Sequence, residues 1–440
     1  MSAAEWLAVL VVSVGLLLGL PLLRALALRF GVAPEVARKS VHVVMGLVCV
    51  AFPWIFGRSL PVWVLATLVT VLLGLLRIIP RLKSGLGSAL HGVLRLSYGE
   101  VLFAPAVASV FQLARGDAYL HAIPIGILTI ADAAGGLAGT RWGQQKYGCG
   151  DGSKTVLGST VFLVAAFLCT LLPLVLGGRT DLNHALWIGL TLATLGMMAE
   201  GIADRGFDNL VIPLLSYFVL QRLLVLEFPA LAGLFFAAAC LLFLVLCASP
   251  WSTLNGGALL GSALLGCACA VVADWRFVLP PMAVFLSHLR STHRYRLAGV
   301  YDHRLDVVIA HAIGCLPWVF LAQRGWLATP TCLAGISFAM GAQLAFLDTV
   351  TRLRIVTLEC NPLRSTLKGW GVAAVPGLVW LWPDGRQLLV PVALAMAATY
   401  LVALFLQATH GRLHGRERDL RLFKGVLALL GSLSALFYQP

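Results

Sequence analysis

Three observations predict an all-α protein that crosses a membrane many times. Of its 440 residues, 60% are hydrophobic and only 12% charged, a balance foreign to a water-soluble enzyme. The apolar residues fall in runs near twenty long, the length of helix that spans a bilayer. The basic residues behind the net charge of +13 sit in short loops between those runs, as the positive-inside rule distributes them. That placement favours membrane lipids and phosphorylated substrates as partners and argues against nucleic acid. The ten cysteines lie almost all in apolar runs and form no CxxC pair. Cys267 and Cys269 lack partners at zinc-site spacing and read as helix packers.

The first apolar run, Trp6 to Leu28, is long enough to span and be retained rather than cleaved. PEVARKSVH follows with Arg38, Lys39 and His42, then spans near 43–57 and 59–79, then a basic loop with Arg77, Arg81, Lys83 and Arg95. Ser97-Tyr98-Gly99-Glu100 precedes a span near 101–114, and Arg115 marks its exit. The span near 120–139 carries Asp132. A polar loop leads to Thr155, and helices near 158–176 and 185–200 follow, the second ending on Glu200. GIADRGFDNLVIPLL then brings Asp204, Asp208 and Asn209. From Phe228 the chain is again a series of spans, with basic loops at Arg290–Arg304, Arg352–Lys368 and Arg412–Lys424. The expectation is about 14–16 transmembrane helices in two membrane domains, residues 1–227 and 228–440.

If each span crosses once, the RKSVH loop, the Arg77–Arg95 loop, the Lys154 loop and the Glu200–Asn209 turn face one side. That side holds roughly a dozen Lys and Arg and the other about three, namely Arg58, Arg115 and Arg179, so the crowded side is the cytoplasm. Four polar clusters are thereby expected to meet on the cytoplasmic face of a multi-pass protein, in a bacterial inner membrane.

Residues Thr129–Thr160 carry the densest chemistry. Asp132 sits inside an apolar run, where an ionisable group is expensive and commonly functional. Gly135, Gly136 and Gly139 have almost no side-chain volume, so another helix or a ligand can approach the backbone, and Gly135 with Gly139 has the small-xxx-small spacing. Arg141, Lys146, Asp151 and Ser153-Lys154-Thr155 follow. An acid able to hold a divalent cation and a Lys-Thr pair are parts suited to gripping a nucleotide's phosphates. A Walker A loop is excluded, because Lys154 follows serine where that motif needs glycine. The Gly148, Gly150 and Gly152 alternation reads either as a phosphate cradle or as a flexible turn. Thr155 reads as a phosphate donor, as the N-cap of the next helix, or as both.

Arg38 and Lys39 are basic residues expected at a helix entrance from topology alone, whereas His42 follows Lys39 on the same helical face. Glu100 suits a helix N-terminus. Glu200 ends a helix, the unfavourable end for an anion, which strengthens a functional reading. Asp208-Asn209 reads as a cap or a cation site.

RKSVH, YGEVLFAP, ADAAGGLAGTRWG followed by SKTVLGS, and AEGIADRGFDNLVIPLL occur in the order found in the CTP-dependent lipid-alcohol kinases. Residues 35–225 or so resemble that family, which includes phytol kinase, dolichol kinase and the CTP-using diacylglycerol kinase. The resemblance implies phosphorylation of a lipid alcohol such as phytol, a polyprenol or dolichol, with CTP as donor and Mg2+ as cation. It implies a cation at Asp132, phosphate contacts from Lys154 and Thr155, and supporting roles for Arg38, Lys39, His42, Glu200, Asp208 and Asn209. As catalytic candidates we take Asp132, His42, Glu200 and Asp208, with Asp132 and Asp208 as metal ligands. Lys154, Thr155, Arg38, Lys39, Gly135, Gly136, Gly139, Arg141 and Asn209 are the nucleotide-binding candidates. One departure is Ala131-Asp132 where family members commonly have Gly-Asp.

The cytidylyltransferases that make CDP-diacylglycerol share a Lys-Thr-x-x-Gly stretch, but their C-terminal His-Gly-Gly and Asp-Arg signature is missing here. A transporter or flippase of an anionic lipid is the rival outside enzymes. It would want ionisable residues through the whole membrane depth, whereas here they gather at one face. In the second half, STLNGGALLGSALLG and FLSHLRSTHR more faintly resemble segments of the phytyl-phosphate kinase family. Leu353 stands where the acidic motif begun by Asp348-Thr349 would continue to a glutamate. The expectation is a degenerate kinase half or an unrelated helical extension.

Overall fold

The computed structural model describes residues 3–78, 98–150, 152–297, 303–354, 360–409 and 417–440. Arg81, Lys83, Arg95, Ser97 and Asp151 lie outside the described residues. The chain is an all-α, multi-pass membrane protein. Among the described residues, nine helices are long and apolar enough to cross a membrane, and Glu5–Gly15, Ser59–Leu75 and Gly99–Ala114 are shorter apolar helices. The other long helices beyond these, such as Pro34–Val50 and Asp208–Leu223, carry the charged candidate residues at their N-terminal ends. Two compact units divide the chain, Met1–Phe236 and Ala237–Pro440, and the boundary falls inside the helix Phe228–Ala248.

Polar side chains stop and start these helices. Asp117 accepts hydrogen bonds from the Tyr119 and Leu120 amides at the head of Ala118–Gly126, and Asp181 does the same for Asn183 and His184 ahead of Leu182–Ile202. Such caps satisfy amides that a helix start leaves unpaired. Asp117 also takes Arg179 at 2.8 Å, and Tyr119 donates to the Gly177 carbonyl at 2.9 Å, which closes that end of the first unit.

The span that carries Asp132 is not a regular helix. Ala118–Gly126 passes into a π-helical segment, Ile127–Ala131, and resumes as the α-helix Asp132–Trp142. One π turn rotates every later side chain about the axis, and such bulges are frequent at functional sites. Beyond Trp142 the polar stretch forms a β-hairpin, an element not expected from the apolar pattern. Strand β1 (Lys146–Cys149) pairs antiparallel with β2 (Gly152–Thr155), placing Tyr147 opposite Lys154. The turn residue Gly150 has φ +54, a conformation glycine adopts at no steric cost. The glycine alternation is therefore the turn of a hairpin. Thr155 closes it by capping Val156–Leu176, its Oγ1 accepting the Gly158 amide at 3.1 Å.

Asp132–Trp142 crosses Val156–Leu176 at backbone contact. A Cβ at Gly135 would lie 2.8 Å from the Gly158 carbonyl oxygen, and one at Gly158 would lie 2.9 Å from that of Gly135. This is the close crossing that small residues permit in membranes, where dispersion and weak C–H···O contacts replace the hydrophobic drive. At the other side of the unit, Asp208–Leu223 packs along Gly99–Ala114. Asn209 donates to the Gly99 carbonyl at one end and Tyr217 to that of Leu113 at the other, each at 2.8 Å.

In the second unit Thr329–Arg354 is the central helix, 89% of its apolar window being buried over Thr329–Leu353. Trp318 packs against Gly335 and donates its indole N–H to Ser432 at 2.9 Å.

Gly158→Val is expected to lower the thermal midpoint of the detergent-solubilised protein, through overpacking of about 1–3 kcal/mol. Gly233→Ala, which adds a methyl in open space, serves as the control and should leave the midpoint unchanged or slightly raised. Equal midpoints for the two variants would contradict the crossing.

Candidate active site

Pro34–Val50 lays Lys39 and His42 on the face that meets the Asp132 span. The Lys39 ammonium donates to Asp132 Oδ2 at 2.6 Å and to the Asp132 carbonyl at 3.3 Å. Both side chains are only 9% exposed. Lys39 reaches this depth across Gly136, where a Cβ would stand 2.9 Å from its Cε. His42 Nε2 sits 3.1 Å from the Leu128 carbonyl oxygen and 3.7 Å from Asp132 Oδ2. Only an N–H can meet a carbonyl, so Nε2 carries the proton and Nδ1 is the nitrogen able to accept one. Phe103 packs edge-on against the imidazole, with ring centroids 5.3 Å apart.

The hairpin builds the second half of the site. Lys154 donates to Glu200 Oε1 at 2.5 Å and to the Glu200 backbone carbonyl. It thereby serves the last turn of Leu182–Ile202, the end where a cation is favourable and a carboxylate alone is not. The other Glu200 oxygen accepts from Ser159 at 3.4 Å, and Ser159 lies 2.6 Å from the Tyr147 hydroxyl. Burial disfavours the Lys154 ammonium, but Glu200 and then Asp208 more than offset this and hold it above the ordinary lysine range. Burial, followed by the Glu200 charge, pushes the Tyr147 phenol up to about 12.

Asp208 heads its helix within electrostatic reach of Asp132, Lys154 and Lys39, and its Oδ1 accepts the Asn209 amide at 3.0 Å. Just before it, Arg205 and Gly206 adopt φ +52 and +88, and the Arg205 carbonyl accepts the Tyr98 amide at 2.7 Å. Three of the expected polar clusters, those carrying Lys39, Lys154 and Glu200–Asp208, therefore meet at one end of the first unit, and the Arg77–Arg95 loop lies largely outside the described residues. Among the described residues there, Asp132, Glu200 and Asp208 face Lys39 and Lys154, with Arg38 also within electrostatic reach of Asp132 and Asp208. Each ammonium uses two of its three donors within the protein, which leaves one.

Some expected residues play other parts. Arg38 turns back to Glu35 at 2.6 Å, and Arg141 lies over the Trp142 ring, 5.2 Å from its centroid. Neither donates a hydrogen bond to the Asp132 carboxylate, although the Arg38 guanidinium lies within electrostatic reach of it. Gly135 and Gly139 are filled by the Val156–Leu176 helix and Thr155, and Gly136 by Lys39, so their close approach is made by this chain itself. Asn209 ties two helices together. Tyr147 and Ser159, which carry no motif of their own in the sequence, brace Glu200. The Lys39–Asp132 pair spans 93 positions and leaves no local signal in sequence. The hairpin did leave one, Gly150-Asp151 between two short polar strands.

Among the described residues, no three His, Cys, Asp or Glu side chains gather as a metal site. Asp132 and Asp208 are hard oxygen donors that suit Mg2+ brought in on a polyphosphate, since that ion is commonly held by one or two carboxylates plus phosphate oxygens. In the second unit, Asp348 accepts from Arg352 at 2.7 Å, Ser365 at 2.8 Å and Lys368 at 2.5 Å, and is fully engaged as a link between helices. Comparison with protein-family models, curated proteins and solved structures returns no match.

Lys39→Met should destabilise the protein by about 3–5 kcal/mol, because it strands a buried carboxylate. Adding Asp132→Asn to that variant should recover much of the loss. Denaturation midpoints of the two single variants and the double variant check this, and strictly additive costs would contradict a coupled pair. The Lys154 tie has an alkaline signature. A raised folded value means its contribution is complete below the ordinary lysine value of 10.5 and is lost as pH rises through the folded value. Wild type should therefore lose stability more steeply than Lys154→Met above about pH 10, as read from thermal midpoints across pH.

Proposed function

We propose that the first unit transfers a phosphoryl group from CTP to the hydroxyl of a lipid alcohol, of the phytol, polyprenol or dolichol type. The observation that carries this reading is the meeting of Lys39, Asp132, Lys154 and Asp208 at one end of a set of membrane helices. Two ammonium groups with a spare donor each can hold phosphate oxygens, and the Asp132 and Asp208 carboxylates suit a cation that accompanies them. The choice of CTP and of a lipid alcohol follows the resemblance of RKSVH, SKTVLGS and AEGIADRGFDN to the CTP-dependent lipid-alcohol kinases.

In this reading Asp132 and Asp208 hold Mg2+, which neutralises charge on the transferring phosphoryl group when bound. Lys39 fixes the Asp132 carboxylate and offers its third N–H to phosphate. Lys154, kept charged by Glu200, does the same from the hairpin. Glu200 has both carboxylate oxygens engaged and is a positioning residue rather than a base. The proton of the acceptor hydroxyl then passes to His42 Nδ1 or to Asp208, and a loose transition state asks little of either. The alcohol rises from the bilayer and the nucleotide arrives from the cytoplasm, at the inner membrane of a bacterium.

Purified protein incubated with γ-labelled CTP, Mg2+ and a pool of lipid alcohols is expected to move label into the lipid. Asp132→Asn should lower turnover about a hundred-fold or more while leaving membrane insertion intact. Lys154→Ala should lose far more activity than Lys146→Ala, since Lys146 makes no tie to Glu200. Label entering lipid equally with both lysine variants would reduce the hairpin to a basic surface. Label staying in the nucleotide would refute the kinase reading.

A further inference from the structure

The second unit carries a part-open cavity that contains none of the residues assigned above. Leu241, Val245, Leu265 and Phe285 line it together with two imidazoles, His288 and His311, and its empty space, mouth included, is about 730 Å³. His311 Nδ1 lies 2.7 Å from the Val307 carbonyl oxygen, a contact that places the proton on Nδ1 and leaves Nε2 as a lone-pair acceptor. That Nε2 is buried and has no hydrogen-bond partner. An unsatisfied buried acceptor is costly, and a ligand bearing a donor would remove the cost.

His288 is anchored differently. Its Nε2 lies 3.1 Å from Thr253 Oγ1, which also lies 2.9 Å from His303 Nδ1. Thr253 and His288 belong to the two second-half segments, STLNGG and FLSHLR, that the kinase reading leaves without a role. The hydroxyl of Ser262, the other polar side chain on the wall, is committed to the Ala258 carbonyl at 2.9 Å. A water molecule at His311 would thus find few of the two to four polar partners it needs.

We propose that this cavity binds a single-chain apolar lipid with a terminal hydroxyl, the O–H donating to His311 Nε2 and the hydrocarbon lying against the aliphatic wall. A bare hydrocarbon would leave Nε2 unsatisfied. A phosphate monoester would set anionic oxygens against a lone pair. The site is separate from phosphoryl transfer, so it is tested by binding and not by turnover.

The probe is farnesol carrying a diazirine, photolysed on the full-length protein in detergent without nucleotide. Free farnesol, farnesyl monophosphate and the parent hydrocarbon serve as competitors. Labelled peptides are expected from residues 241–311, with farnesol the strongest competitor. His311→Phe should weaken farnesol competition about ten-fold and leave hydrocarbon competition unchanged, which also reports that the cavity is folded. His311→Gln, which restores an acceptor, should recover part of the loss. Asp132→Asn should leave this labelling intact even if the kinase reading fails. Labelling confined to residues before 237, unchanged farnesol competition in His311→Phe, or stronger competition by the monophosphate would each overturn the proposal.

Discussion

A carboxylate inside a membrane helix must be opened to water, protonated or paired, and Asp132 is paired. The Lys39 ammonium that neutralises it fixes much of the first unit. It holds Pro34–Val50 against the Asp132 span, with its stem passing close over Gly136. The π segment immediately before Asp132 sets the rotation at which carboxylate and ammonium meet. Removing either partner strands the other, so fold and site share one interaction.

A second tie is built on the same plan from different elements. The hairpin carries Lys154 to the end of Leu182–Ile202, where it neutralises Glu200 and satisfies a terminal carbonyl. Asp208 stands within electrostatic reach of both lysines, each of which is hydrogen-bonded to another carboxylate. This arrangement separates the first unit from the second. There Asp348 is enclosed by an arginine, a serine and a lysine, and the buried charge is spent on joining helices. Among the described residues the first unit leaves one N–H of Lys39 and of Lys154 unengaged, whereas in the second Asp348 is fully engaged and a buried imidazole acceptor lines an apolar pocket.

Much of this was legible in the sequence, because membrane chemistry writes in long runs. Continuous apolar stretches announced the helices, and basic loops announced which polar clusters would share a face. Glycines at 135 and 139 announced a close crossing, which Gly158 completes. What stayed hidden depends on distant pairing or on single-residue geometry. Nothing near Asp132 in sequence points to Lys39. Arg38, one residue away from Lys39, faces Glu35 because successive helical positions point in different directions. The apolar pattern does not distinguish an α turn from a π turn before Asp132, since residues 122–131 are apolar on nearly every side. The hairpin is marked in sequence only by Gly150-Asp151, because four-residue strands are too short to show a period against a helical background.

The central claim is that Asp132 and Asp208 hold a divalent cation only together with the phosphates that Lys39 and Lys154 receive. Electron paramagnetic resonance of Mn2+ added to the purified protein, with and without CTP, tests this directly. The account predicts weak binding of the ion alone, strong immobilisation once CTP is present, and loss of that immobilisation in Asp208→Asn. Mn2+ held equally tightly without nucleotide, or CTP-dependent binding that survives Asp208→Asn unchanged, would contradict it.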